Sequence, residues 1–305
     1  MARALALPVT SVTRSDDYQR ATRWFVDSNP GFPICFRITS SELDSTTLTS
    51  DVKGLLRALD CSASRVLFVM DFNAQDNLPE AAIDDFIALL RDRINELPML
   101  HNWLGLAVAL SSFPTVVKLK PEEVKAFPRT DLKTYSKLLL SPEQLLRTPM
   151  FGDYALDTSP VQKPQRRTPS AHLRYSTPSS YLISKGHSVR KPRGYEAIFP
   201  VAEALVGRDE YAGPNFSRGD SFIKDLANRS GKPGNASSWR WASTDHHLTA
   251  NFRLINALLG ITERETAKPP QQISLFENLE SPPTAPAHPS DQRVPNNPND
   301  PSEGG

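Results

Sequence analysis

Apolar positions in the first half of the chain alternate between two rhythms. A short β-branched run at residues 7–13 precedes apolar residues at helical spacing over 17–27. Residues 33–39 (Pro-Ile-Cys-Phe-Arg-Ile-Thr) read as a strand, and Ser40-Ser41-Glu42 as a polar loop behind it. Ser50 and Asp51 can cap a helix that ends at Leu59. Residues 65–71 (Arg-Val-Leu-Phe-Val-Met-Asp) form a nearly continuous apolar run, as expected of a parallel strand covered on both faces. Over 81–97, Ile83, Phe86, Ile87, Leu90, Ile94 and Leu97 share one face of a helix. A strand at 104–110, a helix near 132–140 and a short strand at 151–156 continue the series.

Strands and helices in strict alternation imply parallel strands joined by right-handed crossovers. An open doubly wound sheet and a closed barrel both fit. No Gly-rich phosphate loop follows the early strands, which counts against a dinucleotide-binding sheet. Arg37, Asp71, Ser111 and Asp153 close successive strands, as at the C-terminal mouth of a barrel. The expected architecture is therefore α/β, a TIM-barrel-like and incomplete or irregular set of βα repeats over residues 1–263.

The second half is less regular. Residues 157–193 are loop-rich, punctuated by Pro160, Pro164, Pro169 and Pro178, with a short strand at 181–185. A helix is predicted over 196–206, and Asp220 can cap another that opens at Phe216-Ser217-Arg218-Gly219-Asp220. After a Gly/Asn/Ser loop at 228–238, Thr244 or Asp245 can cap a last helix over 246–259. Its apolar stripe would be Leu248, Phe252, Ile255, Leu258 and Leu259, and Gly260 would end it. Residues 264–305 read as a disordered tail: from 267 onward it holds nine of the 27 prolines, and its apolar cluster is Ile273, Leu275 and Phe276.

The formal net charge of +1 gives no global pull toward nucleic acid. Locally, Lys163, Arg166, Arg167, Arg174, Lys185, Arg190, Lys191 and Arg193 crowd one stretch, either a solvated loop or a phosphate-attracting surface. Cys35 and Cys61 make no disulfide framework. The N-terminal apolar run is too short for a signal peptide, and no window approaches a membrane span, so a cytoplasmic protein is expected. No Gly-x-Ser-x-Gly, Gly-Lys-Ser/Thr or Cys-x-x-Cys occurs, and the enzyme classes built on them lose support.

Five clusters combine aromatics, arginines and turn residues: Phe151-Gly152-Asp153-Tyr154, Leu173-Arg174-Tyr175, Phe216 to Asp220, Gly234-Asn235-Ala236-Ser237-Ser238-Trp239-Arg240, and Asp245-His246-His247-Leu248-Thr249. That mix suits a pocket that stacks and clamps a planar anionic ligand, such as a nucleotide or nucleic-acid end. Together with Phe36-Arg37-Ile38, Ser40-Ser41 and Met70-Asp71-Phe72, these clusters make residues 36–259 similar to the phage-associated beta protein family of bacteria and their viruses. The resemblance implies an αβ barrel-like domain in genes that keep company with mobile elements and phage defence, and it implies no reaction. Two departures stand out. The family's usual opening strand with a Lys-Gly-Glu-like turn is absent, and Arg218 stands where a tryptophan is usual.

Several residues then carry alternative readings. Asp71 and Asp153 could share Mg²⁺ or Mn²⁺, or split acid and base roles; equally, each could cap its loop or pair with Arg37 or Arg174. The adjacent His246 and His247 point about 100° apart on a helix, so one would face the pocket, as base or ligand contact, while the other packs. Residues 234–238 resemble a backbone nest for an anion. Trp239 and Trp241, read as strand residues, would face one side as stacking platform or core. In the tail, Gln272-Ile273-Ser274-Leu275-Phe276 resembles the pentapeptide with which replication and repair proteins hold the bacterial sliding clamp, with Leu275 and Phe276 filling an apolar slot and Gln272 bonding its rim. Two functions follow: an enzyme-like barrel acting on a phosphate-bearing ligand or nucleic acid, by metal-assisted hydrolysis and recruited to DNA by its tail, or a non-catalytic sensor using the same pocket.

Overall fold

Five strands run parallel, and four of them follow one another in the chain. β1 (Val9–Thr10), β2 (Ile34–Thr39), β3 (Val66–Ala74) and β4 (Gly105–Ser111) pair in sequence order; β5 (Glu123–Pro128) leaves the sheet, and β6 (Met150–Gly152) returns to pair with β4. The computed structural model describes residues 7–75, 78–114, 118–141, 143–157, 170–190 and 193–261. The predicted tail with Gln272, Leu275 and Phe276, and the basic residues Lys163, Arg166, Arg167 and Lys191, lie outside these. Among the described residues no helix is long and apolar enough to cross a membrane.

The connecting helices are α1 (Asp16–Ser28), α2 (Ser40–Leu43), α3 (Leu48–Leu59), α4 (Ile83–Asn95) and α5 (Thr130–Leu140). Their apolar stripes meet one face of the sheet: Ile34, Phe36 and Ile38 of β2 and Val66, Phe68 and Met70 of β3 share a core with Val52, Leu59, Ile83, Leu90 and Ile94. Full burial of each such side chain contributes roughly 1.5–3 kcal/mol. Strand alternation turns the other set to the opposite face, where register aligns Arg37 with Val69 and Thr39 with Asp71. Two predicted boundaries move. Ser40-Ser41-Glu42 is the helix α2 rather than a loop, because the Glu42 carboxylate closes a capping box with Thr39. The following helix starts from Thr47, upstream of Ser50 and Asp51.

The parallel series does not close into the expected barrel. β5 joins β7 (Ser170–Ser176) and β8 (Ser180–Ser188) in a separate antiparallel sheet ordered β5-β8-β7. A three-residue turn, Thr177-Pro178-Ser179, separates β7 from β8. So short a link permits only antiparallel pairing, since a parallel neighbour needs a crossover of a dozen residues or more. Against this second sheet pack α6 (Phe199–Val206), α7 (Arg218–Ala227) and α8 (Ala236–Leu258), sharing a core that includes Leu173, Tyr175, Leu182, Val201, Ile223 and Trp239.

The last helix departs most from expectation. It begins ten residues earlier than predicted, capped by Asn235 rather than by Thr244 or Asp245. Trp239 and Trp241 are therefore helical neighbours on different faces, 1% and 47% exposed. The predicted stripe points outward, with Leu248 57% and Phe252 60% exposed, while the inward face carries Ser243, His246, His247 and Asn251.

Candidate functional site

The strand ends place three predicted residues together. Arg37 in the C-terminal half of β2 donates from Nε to Asp71 Oδ2 in the C-terminal half of β3, 2.5 Å away. The Tyr154 hydroxyl donates to Asp71 Oδ1 and accepts from Arg37 Nη2 at 3.1 Å. Asp71 also accepts the Asn73 amide at 2.9 Å and is fully buried. Its carboxylate is thus engaged by a cation, a phenol and an amide.

One residue before Tyr154, Asp153 enters a second network. Its Oδ2 lies 2.8 Å from His247 Nε2 and accepts Asn251 Nδ2 at 2.8 Å, while Oδ1 accepts the Ala155 amide. Burial alone would raise the Asp153 carboxyl, but the hydrogen bond and charge of His247, the Ala155 amide and nearby Arg129 together hold it below its ordinary value. On the far side of the imidazole, His247 Nδ1 is 2.6 Å from Ser176 Oγ. Acid, imidazole and hydroxyl in this order are the groups that activate a serine nucleophile. Here Ser176 is 3% exposed and lines none of the described cavities, so the chain of bonds ties β6, β7 and α8 together instead.

His246 turns the other way, and it too is enclosed. Its Nδ1 is 2.9 Å from Asp220 Oδ2 and its Nε2 is 2.8 Å from the Ser176 carbonyl oxygen. Both partners are acceptors, Asp220 a carboxylate and Ser176 a carbonyl oxygen. Tyr175 stacks on this ring at 3.6 Å and donates its hydroxyl to Asp220 Oδ1 at 2.7 Å. Burial, and then the neighbouring carboxylate, push the Tyr175 phenol well above its ordinary value. Asp220 does not cap α7 as predicted: Ser217 does, accepting the Asp220 amide at 3.0 Å, and Asp220 becomes the buried partner of His246.

An open cavity of about 550 Å³ lies between β7 and α8, lined by His172, Arg174, Trp239, Arg240, Trp241, Ser243 and Asp245 among others. Arg240 is exposed and 3.5 Å from Asp157. Arg174 donates to the Leu156 carbonyl oxygen, and its guanidinium lies 5.1 Å from the centre of the Phe113 ring. Burial depresses Arg174; Asp157 partly offsets this, and Arg240 adds to it. His172 is also depressed, first by burial and then by Arg174. These basic groups repel one another across the cavity, which an anion would relieve.

The predicted site residues therefore separate into three places: Arg37, Asp71 and Tyr154 at the strand ends; Asp153, Tyr175, Asp220, His246 and His247 inside; Arg174, Trp239 and Arg240 at the cavity. Tyr154 links the first two by sequence and by bonding. The expected anion nest is not open, because Asn235 Oδ1 takes the Ser237 and Ser238 amides at 2.9 and 3.2 Å. The Mg²⁺ or Mn²⁺ reading of the carboxylate pair does not fit this donor set. Asp71 and Asp153 are each engaged with basic and amide partners, and among the described residues no three His, Cys, Asp or Glu side chains converge. Sequence reasoning missed His172, Ser176, Ser243 and Asn251. Alternation of Ala171, Leu173 and Tyr175 after Pro169 was the available signal for β7, and hence for Ser176.

A family model described as Beta protein matches residues 1–253. No curated protein and no solved structure matches the chain.

Proposed function

The chain belongs to the Beta protein family, and on that footing we propose that it is a non-catalytic binding or sensing protein that recognises a phosphate-bearing ligand in the cavity between β7 and α8. One observation carries the reading: Arg174, Arg240 and His172 converge on an open cavity beside the half-exposed indole of Trp241. Convergent guanidiniums bind phosphate, and an exposed ring stacks on a planar group. The carboxylates and imidazoles that catalysis would need are spent on one another in the interior, so binding is favoured over turnover.

Titration calorimetry with inorganic pyrophosphate at low salt tests this reading. Binding should weaken as salt rises and should be lost in Arg240→Ala, whose side chain is exposed, with unchanged circular dichroism. Absence of binding at 20 mM salt, chosen so that screening is weak at roughly 20–30 Å, would falsify it.

The tail extends the proposal. The Gln272, Leu275 and Phe276 pattern supports recruitment to a bacterial sliding clamp, and so to replicating DNA of a host or mobile element. Capture of purified clamp should vanish on Leu275→Ala with Phe276→Ala; undiminished capture rejects it.

A further inference from the structure

α8 carries an apolar ridge on the side away from the core. Trp241, Leu248, Phe252 and, at the helix end, Leu259 are 47%, 57%, 60% and 42% exposed, and Ile255 is half-buried beside them. At about 100° per residue the four exposed side chains fall within about 40° of one another. They stand opposite Trp239, Ala242, Ser243, His246 and Ala250, which face inward. With Asp245 and Ile255 they occupy positions 241, 245, 248, 252, 255 and 259, alternating four and three residues apart. That alternation is the repeat of a helix-pairing seam. Single exposed apolar residues are ordinary, but a continuous line of them marks a contact surface.

We propose that this ridge pairs with α8 of a second copy of the chain, antiparallel about a two-fold axis at the level of Ala250. In that register Leu248 faces Phe252 of the other copy, Asp245 faces Ile255, and Trp241 faces Leu259, each pair occurring twice as an isologous contact requires. Charge selects the orientation. A parallel, in-register pair would set Asp245 against its own copy. The antiparallel pair moves the two carboxylates ten residues apart, about 15 Å along the axis. It also brings the exposed Arg253 of the other copy to within two residues, about 3 Å, of the level of Asp245 on the same side of the seam. Opposed helix dipoles favour the same arrangement. Area fits this occupant too. At about 200 Å² for a full large side chain, the four exposures leave roughly 400 Å² of apolar surface on each copy. Both copies together, with the flanking Ile255, Thr249 and Asn256, reach the ~1,000 Å² of a small specific interface, which fits a weak dimer. Trp241 and the Leu259 of the other copy then meet at the rim of the basic cavity.

Sedimentation velocity of the full chain from roughly 1 to 200 μM tests the pairing, a range that brackets the affinities of small interfaces. A monomer–dimer equilibrium is expected. Leu248→Glu and Phe252→Glu should each weaken it by about tenfold or more, with unchanged far-ultraviolet circular dichroism. A short bismaleimide crosslinker reads the register. The two copies of Thr249 lie about 3 Å apart along the axis, and those of Asn256 about 18 Å apart. Thr249→Cys should therefore crosslink between copies, and Asn256→Cys should not. A chain that stays monomeric over the whole range overturns the proposal and leaves the ridge to a different molecule. Association that survives both glutamate variants lies elsewhere on the surface and overturns it as well. Crosslinking through Asn256→Cys, or its failure through Thr249→Cys, overturns the antiparallel register. None of these variants touches Arg174 or Arg240, so pyrophosphate binding is read separately and stands or falls by itself.

Discussion

His247 reaches Asp153 across 94 residues of sequence, its Nε2 2.8 Å from the carboxylate. The contact joins the last helix to the last strand of the parallel sheet, and its other ring nitrogen joins both to β7 through Ser176. It therefore couples two sheets that share no strand.

Removing His247 leaves the buried Asp153 carboxylate with the Asn251 and Ala155 amides and without its imidazole. His247→Ala should destabilise the protein by about 3 kcal/mol, the lower end for breaking an enclosed charged pair. Urea unfolding measures this, and a change under 1 kcal/mol would show the pair to be dispensable. The pH dependence has a fixed sign. Because the folded carboxyl lies below the ordinary 3.8, its stabilisation is complete above that pH and is lost as pH falls through the lower folded value. In His247→Ala this acid-limb loss should shrink.

Gly219 sits where α7 presses on α8. A Cβ there would stand 2.1 Å from the Ala242 carbonyl oxygen. That partner is backbone, so Gly219→Ala should cost about 2–3 kcal/mol or displace α7. A melting temperature equal to wild type would mean the two helices are not so closely apposed.

The two tryptophans of α8 should behave oppositely. Trp239 is enclosed and donates Nε1 to the Pro233 carbonyl oxygen at 2.7 Å, so Trp239→Ala should lose about 3–5 kcal/mol. Trp241 lies at the cavity rim, and Trp241→Ala should leave stability within about 0.5 kcal/mol while weakening ligand binding. Chemical denaturation with parallel anisotropy separates the two, and equal destabilisation would contradict the assignment of faces.

Binding at the cavity should depend on pH through His172. Burial and the nearby arginines hold its ring below the ordinary 6.5, and a bound anion would favour the protonated form. A ligand that raises this value binds more tightly as protons become available, so pyrophosphate affinity should rise as pH falls through and below 6.5. His172→Gln should flatten that rise; a pH-independent wild type would place the anion elsewhere.

The βα series from β2 to β4 was legible because its apolar periodicities report local packing. Ile83, Ile87, Leu90 and Ile94 face the sheet as their spacing implies. The pairing of Asp71 with Arg37 was legible as one of the readings of that carboxylate, and the two residues do meet. What spacing could not report was which distant groups would satisfy a polar face.

The parallel strands and their helices followed from patterns within a few tens of residues, and the family from short clusters kept in order along the chain. That β5, β7 and β8 form their own sheet, and that α8 turns its histidines inward and its leucine and phenylalanine outward, emerged only in three dimensions. The physical reason is that burial of His246 and His247 is made tolerable by Asp220, Asp153 and Ser176, partners supplied from other elements of the chain. Helical periodicity registers apolar side chains, and it is blind to hydrogen-bond partners brought in by the fold.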